Sequence, residues 1–368
     1  MATLDKIIVK DFRNIESAEL KFSPKINCIS GNNGEGKTNL IDAIYYLSMT
    51  KSAFQPNDRQ NFRFGGSGQF SITGLYSMPD GMVSKFSIQV SSSGEKKVRR
   101  DSKVCQRISD HIGLLPVVLV SPSDTMLVSE SGEYRRRFVN GVLSQMDSKY
   151  LSDIQQYNRL LAQRNKLLKD MSPDLALLGV LASKMSQLAG GLYQARAKFI
   201  EGLVPLASEF YRMISGGRES IGIHYSSDLE KAPLSDILES VRDRDLAVGF
   251  TTAGIQRDDF IFSLDGHPIR SAGSQGQQKS FLVALKFAQY ELMRSSYGFG
   301  PILLLDDVFD KLDMDRVSNL ISMVAGNGFG QIFITDSNKV RLQSIVDRVA
   351  EDRMYLETHG GVFTPQNL

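Results

Sequence analysis

The residues with the clearest chemistry lie in a glycine-rich stretch near the start of the chain. Residues 31–38 fit the pattern G-x-x-x-x-G-K-[ST] at every specified position, with Gly31, Asn32, Asn33, Gly34, Glu35, Gly36, Lys37 and Thr38. Glycines let backbone N–H groups turn toward phosphate oxygens. Lys37 would reach the β- and γ-phosphates, and the Thr38 hydroxyl would bind Mg²⁺. The pattern predicts a nucleoside triphosphate site.

The neighbouring segments are those needed to position such a loop. The apolar run over residues 25–30 predicts a strand that leads into it. Residues 38–47 carry Leu40, Ile41, Ile44 and Leu47 at helical spacing, so a helix leads out of it and points its positive end at the bound anion. The alternative is a surface turn rich in Gly and Asn, and the ordered strand, loop and helix disfavour it.

A second group of candidate residues lies far along the chain. A Ser/Gly/Gln loop over residues 271–279 precedes a helix predicted over about 277–294, which is a second anion-binding arrangement without a lysine. The apolar strand that follows ends in Asp306 and Asp307. Asp306 would support Mg²⁺ directly or through water, and Asp307 would polarise a hydrolytic water. The alternative is a buried strand with Asp306 as a helix cap, which the complete phosphate loop disfavours.

A last strand, predicted over residues 331–334, ends in the polar segment Thr335–Asn338, which would sense the γ-phosphate. Period-two alternation over residues 70–104 predicts an antiparallel meander. Residues 260–269 predict a hairpin with a type I′ turn at Asp265 and Gly266.

Two basic clusters are candidates for contact with nucleic-acid phosphates. One lies on the last hairpin of the meander and the other in a later segment; together they comprise Lys96, Lys97, Arg99, Arg100, Arg135, Arg136 and Arg137. Charge runs are more often solvated surface, and the sequence leaves both readings open.

The central part of the chain has a helical period. Apolar positions recur at alternating intervals of three and four over residues 151–168 and 175–210, with polar Asn158, Asn165 and Arg196 on the same seam. A tight turn predicted at residues 171–174 would make the two helices an antiparallel hairpin. A plain helical subdomain and a projecting arm both fit this pattern.

Composition excludes several classes of protein. The chain has 368 residues, a net charge of +2 and two distant cysteines, which favour two domains without a disulfide framework or zinc site. The sequence shows no signal-peptide pattern and no apolar run that approaches the length needed to span a bilayer. We therefore expect a cytoplasmic, nucleoid-associated protein without a membrane partner.

The combination of motifs resembles the ABC-type ATPase heads of the SMC-like family, and within it a bacterial recombination-repair branch. The similarity covers nearly the whole chain. It rests on residues 12–14, 31–38, 135–138, 257–259, 273–278 and 303–313. The Ser-Gln-Gly-Gln-Gln string, followed by Leu-Leu-Leu-Asp-Asp-Val-Phe, is the most discriminating part.

The resemblance implies an α/β fold: an ABC-type P-loop ATPase head with an antiparallel β subdomain and an inserted helical arm. The head would comprise residues 1–115 and 246–368, and the arm residues 116–245. The cofactors would be ATP and Mg²⁺, and two copies would dimerise head to head on ATP. Ser274 and Gly276 of one subunit would then cap the γ-phosphate held by Lys37 of the other. Further nucleotide contacts are expected from Arg13, Asn14 and Gln277.

The resemblance also implies a function in recombinational repair and replication restart. Such proteins bind double-stranded DNA when ATP is present, favour gapped DNA, and work with RecR and RecO to help load RecA. They are weak, DNA-stimulated ATPases, and hydrolysis opens the dimer. Transporter-type ABC proteins place Glu where this chain has Asp307, and the shorter reach of Asp suggests slow turnover.

Three other functions share parts of this pattern: a transporter ATPase subunit, the head of a long SMC or related repair protein, and a small-molecule P-loop kinase. About 240 residues separate Lys37 from Ser274, which is room for one helical subdomain. That length is too short for an arm of hundreds of residues and longer than a transporter insert needs. A kinase would not need the Ser274 loop.

Replacement of Lys37 by Met should abolish ATP binding and ATP-dependent dimerisation, because the phosphates lose the ammonium group that neutralises them. Titration with a fluorescent ATP analogue and a sizing column run with ATP measure the two effects. A dimer formed by Lys37→Met with ATP would contradict the assigned role.

Overall fold

The structure is a computed structural model that describes residues 2–170, 172–310, 312–326, 328–346 and 352–366. Its strands are β1 (Thr3–Phe12), β2 (Ile15–Lys21), β3 (Ile26–Ser30), β4 (Gln69–Ser77), β5 (Val83–Ser91), β6 (Lys96–Arg100), β7 (Lys103–Val104), β8 (Val117–Val120), β9 (Ile221–Ser226), β10 (Asp259–Leu264), β11 (His267–Pro268), β12 (Ile302–Asp306), β13 (Ile332–Asp336), β14 (Arg353–His359) and β15 (Val362–Gln366). Its helices are α1 (Lys37–Met49), α2 (Met126–Ser129), α3 (Gly132–Met146), α4 (Ser148–Leu167), α5 (Leu175–Ser215), α6 (Leu234–Ser240), α7 (Arg242–Val248), α8 (Ile269–Ala272), α9 (Gln275–Tyr297), α10 (Met314–Ala325) and α11 (Lys339–Val346).

The sheet that carries the phosphate loop is assembled from distant parts of the chain. Its strand order is β15-β14-β3-β13-β12-β8, parallel from β14 to β8, with β15 antiparallel at one edge. Strands β3, β12 and β13 are buried along their whole length, as expected for parallel strands covered on both faces. The adjacent β3, β13 and β12 bring the predicted loop, polar tip and acidic strand end to one edge, which confirms the α/β fold.

The predicted meander is confirmed as a second sheet, with strand order β2-β1-β4-β5-β6-β7. Helix α1 lies between the two sheets and is apolar on more than one side. Edge-to-face contacts join Phe12 of β1 and Phe70 of β4 to Tyr46 of α1, with ring centroids 6.0 and 5.4 Å from that of Tyr46. This packing fixes the helix that begins at the phosphate loop.

A small third sheet, β11-β10-β9, precedes the Ser/Gly/Gln loop. The predicted hairpin is present, and Asp265 and Gly266 at its turn have φ of 47° and 79°. Positive φ at both central residues is the type I′ geometry, so that prediction is confirmed.

The predicted helical segment forms α4 and α5, but its buried face differs from the predicted seam. In α4 the predicted seam position Asn158 is exposed and Asn165 is half-buried, whereas the preceding residues Tyr157 and Arg164 are buried. Both side chains bury their apolar stems because their polar tips find partners: Tyr157 donates to Gln256 (2.6 Å) and Arg164 to Asp245 (2.7 Å). Each of these residues lies one position before the corresponding position of the predicted seam.

In α5 the predicted positions from Leu178 to Leu203 are buried except Ala182, which is half-buried, whereas later the buried face moves to Ala207, Tyr211 and Ile214. The helix contains Pro205 at the point where the face changes. Met171 of the predicted turn between α4 and α5 lies outside the described residues.

The helical part of the chain shares one apolar core with the nucleotide sheet. Helix α5 packs on α9, where the rings of Phe210 and Phe287 lie 5.7 Å apart. Leu203 of α5 and Leu305 of β12 belong to the same buried cluster. This arrangement favours the helical subdomain over a projecting arm.

The division into a head (residues 1–115 and 246–368) and an inserted lobe (residues 116–245) stays a prediction. Strand β8 pairs with β12 of the nucleotide sheet, which favours a first boundary after Val120.

One helix in the described part of the chain, α5, is long and apolar enough to cross a membrane by length and composition. The expectation that no apolar run reaches that length is therefore wrong. The helix packs against α9 and α4, and its side chains from Leu178 to Ile214 contribute to the buried core.

Two buried ion pairs join α4 and α5 to residues 245–258, which lie in α7 and in the segment between α7 and β10. Arg196 of α5 donates to Asp258 at 2.6 Å, with exposed side-chain fractions of 1% and 0%. Arg164 of α4 and Asp245 of α7 are equally buried at 2.7 Å. Arg196 also donates to Asn140 and to the Ile255 carbonyl, so its charge is surrounded by acceptors.

Replacement of Arg196 by Met should lower the free energy of unfolding by about 3–5 kcal/mol, because Asp258 would be left buried without its cationic partner. Urea denaturation measures this change. The control is Arg212→Met, which breaks an exposed pair with Glu209 and should cost less than about 1 kcal/mol. Equal losses in the two variants would contradict the prediction.

Candidate nucleotide site

The phosphate loop takes a shape that other residues would not allow. Gly34 and Gly36 have φ of 85° and 109°, in the region that favours glycine. A Cβ on Gly36 would lie 2.9 Å from the Asn14 side chain, and one on Gly31 would lie 2.7 Å from the Thr358 carbonyl oxygen. Nothing lies within 4 Å of a Cβ built on Gly34. The loop is thus packed from behind and open at its centre.

Lys37 closes over this loop. Its Nζ donates to the carbonyl oxygens of Gly31 (2.7 Å) and Asn32 (3.0 Å), and the residue is buried. The ammonium group therefore lies at the cradle where phosphate oxygens are expected.

The turn between β14 and β15 holds Glu35, which the sequence placed among the nucleotide contacts. The Glu35 carbonyl accepts from Gly361 N–H and from the Thr358 hydroxyl, both at 2.9 Å, and its carboxylate accepts from Gly360 N–H. The Glu35 side chain thus contacts the β14–β15 turn in this structure, and its predicted nucleotide contact stays a prediction. Sequence reasoning missed this contact, and its signal is the Gly360-Gly361 pair between two strand patterns.

Arg13 and Asn14 support the loop from behind. The Arg13 guanidinium donates to Asn39 (2.9 Å) and Ser52 (2.9 Å) and pairs with buried Asp42 at 2.6 Å. Burial raises the pKa of Asp42, and Arg13 opposes that shift. Asn14 accepts from the Asn39 amide at 2.7 Å. The structure places Arg13 against α1, and its predicted nucleotide contact stays a prediction.

The end of the acidic strand meets the phosphate loop directly. The Thr38 hydroxyl donates to the two Asp306 carboxylate oxygens at 3.0 and 3.1 Å, and the Thr335 hydroxyl donates to Asp306 at 2.7 Å. Burial raises the pKa of Asp306 and the neighbouring Asp307 raises it further, while the two threonine hydroxyls lower it. A hydroxyl and a carboxylate in contact are hard oxygen ligands of the kind that Mg²⁺ prefers, so Thr38 and Asp306 fit that ion.

Asp307 has an unusual backbone. Its φ is 46°, which is rare outside glycine and costs conformational energy. Its N–H donates to the Thr335 hydroxyl at 3.1 Å. Burial raises the pKa of Asp307, Lys37 lowers it, and Asp336 raises it again. A raised pKa suits a carboxyl group that exchanges a proton with water.

The residues of the predicted polar segment Thr335–Asn338, the first two of which belong to β13, make different contacts. Thr335 bridges Asp306 and Asp307 N–H, as described. Asp336 is held by Arg341 through two bonds of 2.7 and 2.8 Å. Ser337 is exposed. Thr335 is thus the residue of this segment that contacts the acidic pair.

The Ser/Gly/Gln loop forms the N-terminus of α9, which begins at Gln275 rather than Gln277. Ser274 is the N-cap: its hydroxyl accepts from Gln277 N–H (3.3 Å), and the Gln277 side chain accepts from Ser274 N–H (2.7 Å). The Gly276 carbonyl accepts from Ser280 (2.8 Å). Ser274 is exposed, so it is accessible to a second molecule.

The basic candidates differ in their availability. Lys96 pairs with Asp58 (2.7 Å), Arg135 pairs with Asp259 (2.7 Å), and Arg136 donates to the Asp258 carbonyl (2.7 Å). These three side chains are structural in this conformation. The more exposed cations are Lys97, Arg100 and Arg137, paired with Glu95, Asp101 and Glu133, while Arg99 is half-buried.

Comparisons with known proteins agree with this geometry. The RecF/RecN/SMC N terminal domain family matches residues 3–356. DNA replication and repair protein RecF of Bacteroides thetaiotaomicron is 41% identical over 360 residues, covering 98% of this chain and 97% of that protein. The protein of the same name from Flavobacterium johnsoniae is 38% identical over 347 residues, covering 93% and 96%.

Solved structures give the same result. The recombination mediator protein RecF with ATP, from the RecFOR pathway, matches with a TM-score of 0.89 at 27% identity, covering 100% of this chain and 98% of that one. The Smc head domain of Pyrococcus furiosus, with an extended coiled coil and bound to the C-terminal domain of ScpA, matches with a TM-score of 0.60 at 16% identity, covering 100% and 96%; at that identity the match shows the fold alone.

The sheet order, the phosphate loop and the acidic strand define an ABC-type ATPase head of the SMC class. This chain belongs to the RecF/RecN/SMC N-terminal domain family, and within it to the RecF proteins of DNA replication and repair.

Replacement of Thr335 by Val should slow ATP hydrolysis by about 10–100-fold, a usual cost of losing a residue that orients a metal-binding carboxylate. Asp306 would lose a donor and Asp307 N–H an acceptor. Phosphate release at increasing Mg²⁺ measures the effect. Thr335→Ser keeps the hydroxyl and should remain close to the wild type; a fully active valine variant would contradict the role of this bridge.

Proposed function

We propose that this chain is an ATP-gated DNA-binding protein of recombinational repair, in which two copies close around ATP and reopen after slow hydrolysis. The single observation that carries this proposal is the division of the site. Lys37, Thr38 and Asp306 form a connected half-site, whereas Ser274 stands exposed at the N-terminus of a different helix.

The half-site around Lys37 supports binding of ATP. Lys37 would neutralise the β- and γ-phosphates, and backbone N–H groups of residues 31–36 would bind their oxygens. Mg²⁺ would be held by Thr38 and Asp306, where it would neutralise charge that develops on the phosphates. A solved RecF structure is described with ATP, which supports the same nucleotide here.

Asp307 is the residue we assign to hydrolysis. Its left-handed backbone and raised pKa support a role in orienting and deprotonating the attacking water. An aspartate reaches less far than a glutamate, which supports slow turnover and a timing role. Stimulation by DNA is part of the same proposal.

Dimerisation would complete the site. Ser274, Gly276 and Gln277 of one copy would cap the γ-phosphate held by Lys37 of the other, with the α9 N-terminus adding its positive end. The dimer would bind double-stranded and gapped DNA through cations such as Lys97, Arg100 and Arg137. We propose that it works with RecR- and RecO-type mediators to help load RecA on single-stranded gaps in the cytoplasm, since the RecF structure is described as part of the RecFOR pathway.

Filter binding of labelled duplex and gapped DNA, with and without ATP, tests this function together with sedimentation of the protein. ATP should convert the wild type from monomer to dimer and increase DNA retention. Asp307→Asn should trap the ATP-bound dimer and retain DNA longer, because binding persists while hydrolysis is lost.

The control is Ser274→Arg, which should bind ATP as a monomer but neither dimerise nor retain DNA. The proposal fails if the wild type ignores DNA in the presence of ATP, or if Ser274→Arg hydrolyses ATP as fast as the wild type.

A further inference from the structure

The exposed Ser274 turn is connected through Gln277 to the carboxylate of Glu219, which lies in the segment after α5. Gln277, whose side-chain oxygen accepts from Ser274 N–H, uses its side-chain NH₂ to donate to Glu219 at 3.0 Å. Glu219 follows the C-terminus of α5 and lies 58 residues before Gln277 in sequence. One amide side chain thus connects the α9 N-cap to the end of the longest helix.

Glu219 is itself firmly placed. Its carboxylate accepts from Tyr211 of α5 (2.7 Å) and from the Arg316 guanidinium (3.0 and 3.3 Å). Its side chain is 14% exposed, and that of Arg316 is 9% exposed. Burial acts to raise the pKa of Glu219, but the hydrogen bonds and Arg316 outweigh it and hold the pKa below its usual value. The carboxylate therefore remains charged at neutral pH.

The chain path brings Glu219 to α9 through a tight turn. Gly216 and Gly217, at φ of 71° and 76°, end α5 and reverse the backbone. Ser220 is then fixed by Asp265 of the β10–β11 turn through bonds of 2.8 and 2.9 Å. The backbone on both sides of Glu219 is thus fixed by a turn or by hydrogen bonds to a neighbouring element.

Arg316 extends the network to the segment that follows the acidic strand. It donates to Ser280 of α9 (2.8 Å) and to Asp313 (3.2 Å), the N-cap of α10. In addition, Lys279 donates to the carbonyls of Asp307 (3.0 Å) and Asp310 (2.6 Å). The first turns of α9 therefore touch both the acidic segment and the end of α5.

We propose that Glu219 is a positioning residue for Ser274: acting through Gln277, it orients the N-terminus of α9, so that the position of α5 controls capping of ATP in the partner subunit. This inference rests on the dimeric site of the proposed function. It adds that α5, in the inserted lobe, regulates the capping of ATP at that site. Binding of another molecule that displaces the end of α5 would loosen the Ser274 turn without touching the phosphate loop.

A double-mutant cycle tests this coupling in the full chain. Sedimentation with ATP gives the dimerisation constant of the wild type, Glu219→Ala, Gln277→Ala and the double variant. We expect Glu219→Ala to weaken dimerisation by about tenfold, since a hydrogen bond to a charged group is worth at least that factor. The double variant should be no weaker than Gln277→Ala alone, because Glu219 acts through Gln277.

Two further measurements separate positioning from a general loss of structure. ATP affinity of the monomer, measured with a fluorescent analogue, should stay within about twofold of the wild type, because the phosphate loop is untouched. The matched control is Glu209→Ala on α5, which removes an exposed pair with Arg212 and should leave dimerisation unchanged. Tyr211→Phe removes the α5 hydrogen bond to the other Glu219 oxygen and should weaken dimerisation less than Glu219→Ala. Glu219→Gln keeps the side-chain volume and should also weaken dimerisation, and it replaces the alanine variant if that variant folds poorly.

The inference is overturned if the wild type dimerises with ATP and the Glu219 variants do so equally well, or if the effects of the two single substitutions multiply. A loss of monomer ATP affinity in Glu219→Ala equal to its loss of dimerisation would overturn it as well. A wild type that stays monomeric with ATP would instead refute the proposed function on which the inference depends.

Discussion

Two threonine hydroxyls and one carboxylate hold the nucleotide site together. Thr38 lies in the first turn of α1, Thr335 lies next to the end of β13, and both donate to Asp306 at the end of β12. Thr38 and Asp306 are 268 residues apart in sequence. Because β3 lies between β14 and β13 and next to neither of its sequence neighbours, the sheet order is what makes this meeting possible.

The same arrangement explains why much of the site could be predicted from sequence. The phosphate loop and the acidic strand are local patterns, in which residue type and spacing follow from phosphate and metal chemistry. The strands, the meander and the type I′ turn are likewise local, and the structure has them. The boundaries moved by a few residues, as with α9, whose N-cap is Ser274.

The features that could not be predicted from the sequence depend on contacts between residues that are far apart along the chain. Whether Arg135 faces solvent or Asp259 is decided by packing 124 residues away, so a basic run alone cannot show which cations are free. Tyr157 and Arg164 lie off the predicted seam, yet they are buried because Gln256 and Asp245 provide partners for their polar atoms. The support of Glu35 by the β14–β15 turn has the same origin.

That turn has a consequence for the order in which the protein can acquire its activity. The ribosome synthesises a chain from its N-terminus, so the phosphate loop emerges long before Asp306, Thr335 and the Gly360-Gly361 turn have been made. Until then β3 lacks both neighbouring strands, and Glu35 lacks its restraint. A nascent or truncated polypeptide that lacks these segments would therefore carry the whole glycine-rich motif without a complete nucleotide site.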